Sequence, residues 1–297
     1  MTKQKLTVVC FSFLFLVALS ATTARAQRAP IFTTVDVSGA METDVNDINK
    51  TGVLVGYDCT DALCDSGGTA KAWVQVNGTF KFIRIPGATQ SRAYGVNDKN
   101  QVVGWYIDAA AVTHGFMFDK GTVTTIDPPG STLTNAWSIN NAGIIVGAFT
   151  DSSGVFHGFV DNAGAFKTFD APNGSILTEF TGINNHNQEV GIYDSSDGVE
   201  HGFTLVGKTF TDVTFPGANT IVTATDRIND SGEIVGLTGT NTAGPFKGYQ
   251  RIGTQYTSIV FPGSYETRCR GLNNAGIVVG RYQLTNGGTI HGMTVAP

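Results

Sequence analysis

Short apolar runs alternate with polar turns from residue 31 to the end of the 297-residue chain, and the alternation repeats. The phrase Ile-Asn-x-x-Gly-x-x-Val-Gly, with close variants, recurs six times. Its asparagines are Asn49, Asn97, Asn140, Asn184, Asn229 and Asn273, spaced by 48, 43, 44, 45 and 44 residues. Each repeat reads as four short strands, a to d. Strand a runs into the Ile-Asn pair, b is the apolar run after the turn, c begins at His-Gly-Phe, and d is a Phe-x-x-Ile type segment. A period of about 44 residues with four strands fits one propeller blade.

The turn between a and b has its own chemistry. Three residues after each anchor asparagine stand Gly52, Asn100, Gly143, Asn187, Gly232 and Gly276. Glycine and asparagine most readily accept the left-handed backbone that ends a bulged hairpin loop. Each anchor asparagine is expected to bond its own turn backbone. The chain opens with a lone d-type strand, Phe32 to Val37, and ends after a c-type strand, Gly292 to Val295. These pieces are complementary. They predict an all-β, six-bladed β-propeller with four antiparallel strands per blade, its ring closed by the N-terminal strand completing the last blade.

The phrases GINNHNQEVGIYDSSDGVEHGF and SINNAGIIVGAFTDSSGVFHGF resemble the HAF-repeat family of extracellular bacterial repeat proteins. The resemblance covers roughly residues 30–297. It implies a repeat architecture and an exported location, and it brings no catalytic residues. Units one and five depart from it, with Lys71-Ala72-Trp73 and Lys247-Gly248-Tyr249 in place of His-Gly-aromatic.

Residues 1–26 read as a signal peptide: Lys3 and Lys5, an apolar run from Leu6 to Leu19, and Ala24-Arg25-Ala26 as the cleavage site. Residues 27–297 then form a single domain, secreted or periplasmic, with no membrane span. Cleavage removes three basic residues and takes the formal charge from −5 to −8, which argues against a nucleic-acid partner. Cys59 and Cys64, five apart, are expected to form a disulfide, and Cys269 to be a buried free thiol.

Four of the five histidines occupy one repeat position: His114, His157, His201 and His291. Equivalent positions in different units are separated around a ring, so these side chains read as scaffold that bonds neighbouring loops. His186 reads as a solvated turn residue. The Asp151 and Asp194 loops lack the length and terminal Glu of a calcium loop. The sequence therefore predicts no metal and no cofactor.

Repetition also separates framework from free positions. Six residues before each anchor stands a hydroxyl: Thr43, Ser91, Thr134, Thr178, Thr223 and Thr267. One residue later the series is Asp44, Arg92, Asn135, Glu179, Ala224 and Arg268; two further on it is Asn46, Tyr94, Trp137, Thr181, Asp226 and Arg270. Strand alternation puts both varied series on one face near a channel mouth. Arg92, Tyr94, Trp137, Glu179, Asp226, Arg268 and Arg270 are the candidate ligand-binding residues. Aromatic rings cover sugar C–H faces while charged groups bond hydroxyls, so a glycan is the expected ligand, with a surface protein as the other partner considered. Two functions stay open: a monomeric binding or scaffold module, and a polysaccharide hydrolase or lyase using Asp44, Glu179 and Asp226. Packing of the rings between blades, with the charges merely solvated, explains the same residues without a ligand.

Overall fold

The computed structural model describes residues 29–61, 64, 69–172, 175–195, 198–217 and 219–297; the expected signal peptide lies outside them. Its elements are all strands, and no helix among the described residues is long and apolar enough to cross a membrane. The chain begins with β1 (Ile31–Val35), β2 (Glu42–Ile48), β3 (Leu54–Cys59), β4 (Lys71–Val76) and β5 (Thr79–Phe82). The second unit is β6 (Gln90–Val96), β7 (Val102–Ile107), β8 (Thr113–Asp119) and β9 (Thr122–Ile126). The third is β10 (Leu133–Ile139), β11 (Ile145–Thr150), β12 (Phe156–Asn162) and β13 (Ala165–Phe169). The fourth is β14 (Leu177–Ile183), β15 (Gln188–Asp194), β16 (Glu200–Val206) and β17 (Thr209–Val213). The fifth is β18 (Val222–Ile228), β19 (Ile234–Gly239), β20 (Lys247–Ile252) and β21 (Gln255–Ile259). The last strands are β22 (Glu266–Leu272), β23 (Val278–Gln283) and β24 (Ile290–Ala296).

Pairing corrects the expected six-bladed closed ring. The strands form three eight-stranded sheets, and strand pairing does not run continuously around the molecule. Within each sheet two antiparallel sets are fused by a parallel bridge: Leu133 with Thr113, Glu200 with Val222, or Glu42 with Ile290. The cause is local. At these junctions the loop after a d strand delivers the next a strand alongside the start of the preceding c strand, close enough for backbone bonds such as Ile290 N–H to Met41 O at 3.0 Å. β1 pairs antiparallel with β24 inside one of the three sheets.

Every inner strand (β2, β6, β10, β14, β18, β22) breaks register against its neighbour at one equivalent place. The extra residue is Asn46, Tyr94, Trp137, Thr181, Asp226 or Arg270, a β-bulge that re-aims one side chain per unit. The glycine opposite (Gly56, Gly104, Gly147, Gly191, Gly236, Gly280) allows it, because a Cβ there would strike the carbonyl of Asp44, Arg92, Asn135, Glu179, Ala224 or Arg268.

At the turn ends, both halves of each anchor amide are used. The Oδ1 of Asn140 accepts from the N–H groups of Ala142 (3.0 Å) and Ile144 (3.1 Å), and the other five anchors do the same in their own turns. The Nδ2 of each anchor donates to the carbonyl of the next: Asn49 to Asn97, then Asn140, Asn184, Asn229, Asn273, and back to Asn49 at 3.2 Å. The residue three past each anchor has a positive φ, between 55° at Asn187 and 88° at Gly143.

The core lies between successive units. The third residue of each c phrase is fully buried there, as Trp73, Phe116, Phe159, Phe203, Tyr249 and Met293. Cys269 is buried in the last of these clusters. In four units a histidine two residues before that third c-phrase position clasps loops at the rim. His157 places Nδ1 2.6 Å from Asp170 and Nε2 3.5 Å from Asp151, and its ring lies 5.2 Å from that of Phe149. His114 repeats this with Asp127 and Asp108, His291 meets Asp36 at 2.8 Å, and His201 meets Ser195 at 3.0 Å. The repeat hydroxyls tie the same loops down; Thr178 Oγ1, for example, accepts from Ala171 N–H at 2.9 Å.

Two outcomes follow for solution measurements. Asn140→Ala removes the turn acceptor and the bond to the next unit, so urea unfolding should show a loss of about 2 kcal/mol. Asn141→Ala, in the half-exposed neighbour, should cost under about 1 kcal/mol. For His157, burial opposes the charge, but Asp170 and Asp151 outweigh it and hold the imidazole above its usual range. A raised folded value stabilises fully below the unfolded value of about 6.5 and is lost as pH climbs through the folded one. The destabilisation caused by His157→Gln should therefore shrink between about pH 6 and about pH 8.

Candidate functional site

The six bulge residues converge at one end of the molecular axis and line a cavity of about 240 Å³ together with Glu179, Ile192, Glu200, Leu237, Phe246 and Arg268. Arg227 closes its inner end. One terminal guanidinium nitrogen donates to the carbonyls of Trp137 (3.3 Å) and Thr181 (2.6 Å), the other to those of Asn46 (3.4 Å) and Tyr94 (2.7 Å). Its Nε faces Asp47 at 3.4 Å, an ion-pair contact rather than a hydrogen bond of good geometry. One side chain thus touches four units. The equivalent residues elsewhere are Gly95, Ser138, Gly182 and Gly271, and a Cβ on Gly271 would come 2.7 Å from Asp47 Cα. The axis has room for one such pair.

Of the predicted site residues, Tyr94, Trp137, Glu179, Asp226, Arg268 and Arg270 line this cavity. Two candidates do not. Arg92 turns outward: it donates to the carbonyl of Cys64 at 2.5 Å, and its guanidinium lies over Tyr57 (4.3 Å) and Trp105 (5.0 Å). The loop it holds carries the Cys59–Cys64 disulfide, with 5.6 Å between the two Cα atoms. Asp44 is buried against Arg281 at 3.1 Å and accepts from Tyr57 OH at 3.2 Å, next to Glu42.

Sequence reasoning missed Glu200, Arg227 and Phe246. Glu200 stands immediately before a scaffold histidine, where other units carry Thr113, Phe156 or Ile290. That variation was the available signal. Register explains how Glu200 reaches the site: Glu179 opposes Ile192, which opposes Gly202, two residues beyond Glu200. Glu200 in turn bridges Val222, so Glu179, Ile192, Glu200, Val222, Ala224 and Leu237 share one sheet face.

The electrostatics are lopsided. Asp226 accepts from Arg270 at 3.0 Å, and Glu266 accepts from Arg268 at 2.6 Å. Glu179 and Glu200 pair with no arginine at this wall. Burial, reinforced by Glu200 and Asp194, pushes the Glu179 carboxyl up to about 7. Burial again, with Asp194 and Asp226, pushes Glu200 up to about 7 against the opposing pull of Arg270 and Arg268. The Trp137 indole favours the charged form of Glu179 by proximity, yet its N–H makes no hydrogen bond of good geometry. Tyr94 meets Trp137 edge to face, with ring centroids 4.4 Å apart. Among the described residues, no group of three or more His, Cys, Asp or Glu is placed to hold a metal ion.

No protein-family model matches the chain, and no curated protein matches it. Among solved structures it is similar to the β-propeller domain of the Trilobed protease from Pyrococcus furiosus, at 10% identity and a TM-score of 0.52, over 86% of this chain and 94% of that one. A mutant of the Aleuria aurantia lectin in complex with Fucalpha1-6GlcNAc gives 9% identity and 0.52, over 89% and 97%. The Penicillium chrysogenum alpha-L-arabinanase complexed with arabinobiose gives 13% and 0.50, over 90% and 98%. At such identities the likeness carries the fold alone, which is all-β and β-propeller-like.

Proposed function

We propose that the chain is an exported carbohydrate-binding module whose ligand occupies the axial cavity. The observation that carries this reading is the pairing of an aromatic corner, Tyr94 and Trp137, with charged groups of both signs around one small, partly open cavity. Ring faces cover apolar sugar C–H surface, while carboxylates and guanidiniums take up hydroxyls. About 240 Å³ lies below the usual range for drug-sized ligands, so the fit is to one sugar residue or the end of a chain. The lectin and arabinanase structures similar in fold hold saccharides, which supports this reading.

A second reading, glycoside cleavage, draws on a specific observation. Asp44 and Asp226 are tied to arginines, which leaves Glu179, joined by Glu200, as the carboxyl pair at the wall. Glycoside cleavage requires one protonated and one ionised carboxyl, and a pair that holds one proton near neutrality supplies both.

A saccharide array tests the binding reading, with Trp137→Ala as the comparison after its melting curve has been shown unchanged. The wild-type protein should retain at least one saccharide, and Trp137→Ala should bind it about tenfold more weakly, a change of about 1.4 kcal/mol. If the wild type retains none, the carbohydrate reading fails. Release of reducing ends from the retained saccharide, lost in Glu179→Gln, would move the assignment to cleavage.

A further inference from the structure

The charges around the cavity do not balance. Arg270 is matched by Asp226, Arg268 by Glu266, Arg227 by Asp47, and Arg281 behind them by Glu42 and Asp44. Glu179 on β14 and Glu200 on β16 are left over, with Asp194 on β15 adding a third negative group behind them. Ordinary sheet spacing puts the two glutamate Cα positions about 12 Å apart, a gap that two glutamate side chains span with one small group held between them. The lining beside them is otherwise Trp137, Ile192, Val222 and Leu237; Arg268 and Arg270 line the same cavity, but each is already paired, with Glu266 and Asp226.

Among the cavity-lining atoms without a hydrogen bond, two belong to uncharged groups. Asn46 is only 1% exposed; it donates through Nδ2 to Ala93 O at 2.8 Å, and its Oδ1, in a residue lining the cavity, has no partner. The buried Trp137 Nε1 makes no hydrogen bond of good geometry, although it lies close enough to Glu179 to favour its charged form. A buried amide oxygen left unbonded costs roughly 1–3 kcal/mol, so it marks a place where a ligand donor is wanted.

Building on the carbohydrate reading, we propose that the sugar taken here is an amino sugar with a free ammonium group, seated between Glu179 and Glu200 beside the Trp137 ring. The ammonium supplies the missing positive charge and gains from the neighbouring aromatic ring. Ring hydroxyls of the same sugar meet Asn46 Oδ1 and Trp137 N–H. An N-acetylated sugar has no charge to offer and adds bulk where the carboxyls must close in. A neutral hexose leaves the acid pair uncompensated. Because both carboxyls sit near neutrality when the cavity is empty, an arriving ammonium ion expels a proton from the pair.

Calorimetric titration of the protein near neutral pH with glucosamine, N-acetylglucosamine, glucose and the β-linked glucosamine tetramer tests this. Glucosamine or its tetramer should bind at least tenfold more tightly than the two uncharged sugars, a difference of about 1.4 kcal/mol, and proton release should show as a dependence of the heat on the buffer's ionisation enthalpy. A Glu179→Gln/Glu200→Gln double variant with an unchanged melting curve should lose that preference. Equal binding of charged and neutral sugars would overturn the inference and leave the carbohydrate reading standing. A preference that survives in the double variant would place the ammonium elsewhere and also overturn it. Absence of binding by all four, together with an empty array, would remove both.

Discussion

Six inner strands must meet around one axis, and that crowding governs the molecule. Backbones there approach so closely that three of the six equivalent positions are glycine and one is serine. The remaining two hold Asp47 and Arg227, and Arg227 reaches the carbonyls of four units from a single point. Buried guanidinium is tolerable only because those carbonyls and Asp47 replace its water. One turn further out, the asparagine circuit joins every unit to the next with a donor that would otherwise be lost to solvent. Units that bury their apolar faces only against neighbours depend on such links to hold register.

The same crowding creates the cavity. Each inner strand carries a bulge at one equivalent place, and the extra residue lines the cavity. Residues on either side of the bulge are fixed by packing; the bulge residue itself is not. Asparagine, tyrosine, tryptophan, threonine, aspartate and arginine occupy the six positions. A symmetric scaffold thus presents an asymmetric lining, with aromatic rings from units two and three, carboxyls from units four and five and arginines from units five and six. Function on such a framework resides where the repeat is broken.

Legibility follows from how local each constraint is. The left-handed turn residues, the anchor asparagines and the buried aromatics of the c strands answer to their immediate sequence surroundings, and six copies make each pattern visible. Six of the seven candidate binding residues share the cavity for the same reason: they occupy two positions of one strand. Arg92 occupies one of those positions and still leaves, because the disulfide loop of unit one offers it a carbonyl while Tyr57 on β3 and Trp105 on β7 offer it ring faces. Asp44 leaves because Arg281, 237 residues further along the chain, and its own cross-strand neighbour Tyr57 capture it. Glu200 enters from a strand that reads as pure scaffold, through cross-strand register alone.

By itself the sequence determined the repeat, its four strands, the turn chemistry and the positions free to vary, since all of these are written within about 44 residues and repeated. Only the tertiary structure decided how the strands join into three eight-stranded sheets, because a parallel bridge depends on how each loop delivers the next strand. It alone decided which charges neutralise one another and which two carboxyls are left facing a cavity. Apart from Glu266 and Arg268, two residues apart on one strand, these charges pair across units, at distances that no spacing along the chain records.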